Sequence, residues 1–113
     1  MQTVTTSTVA STFATVKPTD VAASRLMDAD VHTKQHQDIG EIEDLVVENG
    51  DRVSAVILSV GGFLGVGERY VAVDPSSITL MRSADGGTFR AVVDAPKDQL
   101  NNAPTFDHSR FRR

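Results

Sequence analysis

A chain of 113 residues and 12.1 kDa has room for one domain. Apolar residues at 40% and charged residues at 23% exclude collagen-like, low-complexity and fully disordered chains. No cysteine means neither a disulfide framework nor a thiolate zinc site. A net charge of -4, with aromatics at 5% and no Trp, argues against DNA binding and against a stacking platform for bases.

The longest apolar stretch, Val53 to Val60, is broken by Ser54 and Ser59 and is far short of the roughly 20 residues of a membrane-spanning helix. No membrane insertion is expected. The first segment, MQTVTTSTVASTFATVKPTD, lacks a positively charged start and a continuous apolar region, so no export signal is read and the expected compartment is the cytoplasm.

Residues 1–20 form a Thr/Ser-rich arm ending at Lys17-Pro18. It carries too little apolar surface to offset its ordering entropy, so it is expected either to be disordered or to add a strand to a neighbour. From Val21 to residue 107 the signals are those of strands and tight turns, and the chain closes with a basic tail over residues 108–113.

A short strand at Val31–Thr33 precedes the polar turn Lys34 to Asp38. Ile39–Val47 follows, with Glu41, Glu43 and Asp44 facing water. Asn49-Gly50 then marks a hairpin, because a type I′ turn needs positive φ at both central positions. The nearly continuous apolar run Arg52–Val60 reads as a strand buried on both faces or central in a closed sheet. Arg69–Val73 is a strand stopped by Asp74-Pro75. Ile78–Met81 and Phe89–Val93 pair across a turn at Ala84 to Gly87. Pro96 and Asp98 mark a short helix over Ala95–Asn102. About six short strands with Gly-rich turns predict an all-β fold, a small and strongly bent sheet or barrel.

The most distinctive stretch is Leu58-Ser59-Val60-Gly61-Gly62-Phe63-Leu64-Gly65-Val66-Gly67. A phosphate-binding loop requires a helix N-terminus directly after the glycines. Strand material follows here instead, and no Lys-Ser or Lys-Thr pair is present, so nucleotide binding is rejected. The glycines allow a sharp passage between two buried strands. Phe63 and Leu64 at its tip either plug the barrel end or stay exposed as a contact for a partner or a second copy, flanked by Gly62 and Gly65.

Ile39-Gly40-Glu41-Ile42-Glu43-Asp44-Leu45-Val46, the glycine-rich stretch and Tyr70-Val71-Ala72-Val73, in that order, resemble the PRC-barrel domain family over residues 22 to 107. Leu100 to Phe106 resembles the ending of its stand-alone bacterial members. The family takes its name from the cytoplasmic barrel of the photosynthetic reaction-centre H subunit, and a ribosome maturation factor carries a related barrel. The resemblance implies a small β-barrel, no catalytic residues and a role in protein–protein contact or complex assembly; an unidentified protein partner is expected, a second copy of the chain in a homo-oligomer among the candidates. One departure concerns the exit from the Val-Ala-Val strand. The family's usual Pro is replaced by Asp74 and follows one residue later as Pro75, so the exit is expected to be shifted.

Other chemistry is sparse. His32 and His36 stand four apart, a metal spacing on a helix, but they fall on a strand end and a turn, where that spacing loses its meaning even with Asp38 nearby. His108 has no evident partner in sequence. The carboxylates Glu41, Glu43 and Asp44 read as a solvated face, and no Gly-x-Ser-x-Gly nucleophile elbow occurs. No catalytic set, metal site or cofactor is expected. The terminal Ser109-Arg110-Phe111-Arg112-Arg113 carries three positive charges; removing them from the net -4 leaves residues 1–108 at -7. An acidic body with a cationic tail (Arg110, Arg112, Arg113) keeps RNA or ribosome contact open as an alternative function, with weak and salt-sensitive binding. A small-ligand or metal-binding barrel is the other alternative, disfavoured because small barrels are filled by their own side chains.

Overall fold

Asn49 and Gly50 both adopt positive φ, 53° and 74°, and the Asp51 amide donates to the Glu48 carbonyl at 3.1 Å. This is the turn that the Asn-Gly pair demands. It joins the two longest strands of the protein, β2 (Asp38–Glu48) and β3 (Arg52–Val60). The computed structural model describes residues 13–61, 69–84, 88–107 and 109. Within them the remaining strands are β1 (Asp30–Thr33), β4 (Arg69–Val73), β5 (Ile78–Arg82) and β6 (Phe89–Val93).

The six strands form one curled sheet in the order β4-β3-β2-β1-β6-β5. All pairings are antiparallel except β1 with β6, which is parallel. An antiparallel meander (β1 to β4) and a hairpin (β5 and β6) are therefore joined through the first strand. The concave face carries the core: Val31, Ile39, Ile42, Val56, Leu58, Val60, Val71, Ala91 and Val93, each at most 6% exposed. Val73 and Ile78, on the two edge strands, pack against this same core, so the curl brings both edges onto one interior. The all-β architecture of about six short strands in a small, strongly bent sheet, expected from the sequence, is the one observed.

Helix content is small. The C-terminal helix, α2, spans Lys97–Asn101 with Pro96 at its N-cap, shorter than the expected Ala95–Asn102, and it buries Leu100 at 3% exposure. One turn of helix, α1 (Ala23–Leu26), has no counterpart among the expected elements. It has no side-chain cap and no buried residue, so it leaves no periodic signal, although Leu26 leans on the core.

The curl has a local cause in β2. Register slips between the ladders at three places: β1 pairs Val31 with Gly40 but His32 with Asp38, skipping Ile39. Against β3, Glu43 is skipped between Ile42 and Asp44, and Ser54 is skipped opposite Val46 and Val47. Such bulges bend a strand and increase its twist. They also break the alternation expected of β2: Glu41 is exposed, but Glu43 and Asp44 are half-buried, and Asp44 accepts from the Leu45 amide at 2.8 Å. The bend passes through Gly40, whose φ of 155° lies where side chains are rarely tolerated. A β-carbon there would overlap the Ser59 carbonyl oxygen and lie 2.9 Å from its carbon.

The exit from β4 is also resolved. The strand ends at Val73, and Asp74 caps a 3-10 turn over Pro75–Ser77, accepting from the Ser76 amide at 2.8 Å and its hydroxyl at 2.7 Å. Those bonds from Ser76 hold the Asp74 carboxyl below the usual carboxylate range. Asp74 thus gives the displaced proline a capped turn, which starts β5.

Gly40→Ala is expected to cost about 3 kcal/mol or more in urea unfolding, because the clash is with backbone that cannot move aside. Gly50→Ala serves as its control, with positive φ but nothing within 4 Å of the added carbon. It should cost only about 1 kcal/mol. Equal costs at the two positions would show that the Gly40 contact does not shape the sheet.

Candidate functional site

Two regions stand out in the sequence as contact candidates, the glycine-rich connection with Gly62, Phe63, Leu64 and Gly65, and the tail with Arg110, Arg112 and Arg113. All seven residues lie outside the described residues. The structure does place the points from which both regions spring.

The glycine-rich connection leaves from Val60, 2% exposed, and returns at Arg69, and these two residues face each other in the β3–β4 ladder. Gly61, at φ 76°, donates its amide to the Ile39 carbonyl at 3.2 Å. That bond ties the start of the connection to the bend of β2. The strand on which the exclusion of a phosphate loop rests is β4 itself, beginning at Arg69.

Arg69 also anchors the C-terminal segment. Its guanidinium donates to the carbonyls of Asn101 and Ala103, and its Nε lies 3.4 Å from the Thr105 hydroxyl. One residue on, the Phe106 amide donates to the Tyr70 carbonyl at 2.7 Å. The planar fork of arginine suits two carbonyls at once. Residues 101–106 are thereby held against the start of β4, where the Phe106 amide satisfies one outward carbonyl of the edge strand. The basic tail departs just beyond, past Asp107. The exit of the glycine-rich connection and the origin of the tail therefore share one edge of the sheet, a juxtaposition that sequence reading missed. The only available signal was an arginine opening a strand, which is too common to interpret.

The histidines are separated by the fold. His32 lies on β1 beside Asp38, with a buried Nδ1 that has no hydrogen-bond partner among the described residues. His36 sits exposed in the following turn at φ 66°. Thr33, 1% exposed, organises that turn by accepting from the Gln35 and Gln37 amides at 3.2 Å each. Among the described residues no three His, Asp or Glu side chains converge as a metal site would require, and no helix is long and apolar enough to cross a membrane. At the far end of the sheet an open cleft of about 630 Å³ lies between α1 and the β5–β6 hairpin, lined by both charges, Arg25, Arg82 and Arg90 with Asp28 and Asp30, around Met81 and Phe89. The sequence distributes these residues too widely to suggest it.

The model of the PRC-barrel domain matches residues 18–100, most of the chain and all six strands. The chain belongs to the PRC-barrel family. No curated protein is similar enough to the chain to count as a match. PRC-barrel domains serve protein–protein interaction and assembly, and the family is generally non-catalytic.

Within this PRC-barrel chain, Arg69→Ala should release residues 101–106. Amide exchange at Phe106 should lose protection, and stability should fall by about 2 kcal/mol, the scale of hydrogen bonds to a charged group. Arg69→Lys should not rescue it, since one ammonium cannot reproduce the fork. Unchanged exchange at Phe106 would show that the segment holds without Arg69.

Proposed function

We propose that this chain is a non-catalytic module for protein–protein interaction and complex assembly. The observation that carries the reading is the filled interior of a PRC-type sheet. The concave face is occupied by the chain's own Val, Ile, Leu and Ala side chains, so surfaces and strand edges are what the fold offers to other molecules. The contact surface is proposed to centre on Phe63 and Leu64, with Gly62 and Gly65 giving them room. The connection springs from the buried Val60, the Gly61 amide bonded to the Ile39 carbonyl, and Arg69 paired with Val60 in the ladder.

An affinity pull-down from the native cell tests this, comparing the wild type with Phe63→Ser/Leu64→Ser by mass spectrometry. A defined partner should be captured by the wild type and lost in the double variant, with thermal melting showing that the fold persists. Retention of every partner by a folded double variant would rule out this surface. Recovery of ribosomal proteins that depends on Arg110, Arg112 and Arg113 would move the function to the tail.

A further inference from the structure

The two edges of the sheet are treated differently. On the outer edge of β4 the Phe106 amide takes the Tyr70 carbonyl, whereas β5 pairs only with β6 and, among the described residues, only Pro75 bonds to its outer side, through the Ile78 amide. Four of its five residues are exposed, among them Leu80 at 38% and Met81 at 45%.

The backbone of β5 can be read group by group. The Asp94 amide donates to the Ser77 carbonyl at 2.8 Å and the Ser83 amide to the Thr88 carbonyl at 2.9 Å. Antiparallel pairs alternate between bonded and non-bonded positions. Ser77, Thr79, Met81 and Ser83 therefore point their backbone groups at β6, and Ile78, Leu80 and Arg82 point theirs outward. The Ile78 amide is already used, donating to the Pro75 carbonyl. Among the described residues, the Ile78 carbonyl and both backbone groups of Leu80 and of Arg82 have no backbone partner.

That set is self-complementary. An antiparallel copy of the same strand, related by a two-fold axis at Leu80, forms reciprocal bonds between Leu80 and its equivalent. At each end, the Arg82 amide meets the Ile78 carbonyl of the other copy. Charge agrees with this orientation. Arg82 and Arg90 lie at one end of the hairpin, and the Asp74 carboxylate, held by Ser76, lies at the other. Arg90 has Asp30 opposite it on β1, so the contrast lies between Arg82 and Asp74: antiparallel pairing turns Arg82 of one copy toward the Asp74 end of the next, and parallel pairing would set Arg82 beside Arg82. We infer that the β5 edge is a self-association surface through which two copies join into one continuous sheet. This inference rests on the proposed interaction function and names a second copy of the chain as one partner.

The closing experiment is sedimentation of the full chain from about 1 μM to about 1 mM, with a dissociation constant on the order of 10–100 μM expected for so short an interface. Leu80→Lys and Leu80→Glu each place like charges opposite one another across the axis and should weaken association by about tenfold or more. Mixing the two variants should restore it, an outcome that loss of folding could not produce. Arg82→Pro removes one outward amide without touching the core and should also weaken the dimer. A wild type that stays monomeric throughout overturns the inference, as does a dimer indifferent to these changes. Neither result bears on a different partner captured through Phe63 and Leu64, so the two proposals fail separately.

Discussion

The close approach of Gly40 to the Ser59 carbonyl is the contact on which the rest of the sheet depends. At this point β2 serves two ladders, and only a residue without a β-carbon lets the backbones lie so near. The bulges at Ile39 and Glu43 flank it, so the bend is concentrated within five residues of one strand. From that bend follow the concave core, the convergence of Val73 and Ile78 from opposite edges, and the anchoring of Gly61 to Ile39. A flat β2 would leave the edges apart and the core half open to water.

The two edges, once brought round, meet different fates for reasons of local chemistry. β4 opens with an arginine whose fork can hold two carbonyls, and the C-terminal segment is captured there. β5 opens with a capped 3-10 turn that uses one outward amide and leaves the others free. Both devices are hydrogen bonds at strand ends, made beside the core on which Ala103 and Ile78 also pack. The fold is thus set by apolar packing and one glycine, and the character of its surfaces by hydrogen bonds at strand ends.

Much of this was legible in the sequence where the signal was local. Asn49-Gly50 specified its turn, and Arg52–Val60, Arg69–Val73 and Phe89–Val93 were bounded correctly by Gly, Pro and Asp neighbours. The order of strands and the register slips were not legible, because they depend on pairings between distant residues. Gly40 did carry a signal, since an isolated glycine in a strand marks a bulge or a close approach, but only the structure says which backbone it meets. The candidate contact residues were legible as an unusual composition alone. Nothing in the sequence indicated that the exit of their connection lies beside the origin of the basic tail.

The parallel ladder between β1 and β6 has a kinetic consequence. It pairs Asp30 with Arg90 and Thr33 with Val93, contacts that span most of the domain. Such non-local pairings form late, because a long loop must close before any contact rewards it. During synthesis the β2–β3 hairpin and β4 emerge well before β6. Until then β1, with Val31 and Thr33 destined for the interior, has a partner on one side only. The nascent chain must therefore carry a half-built sheet with an open central edge, and the arrival of residues 89–93 is the event that seals it.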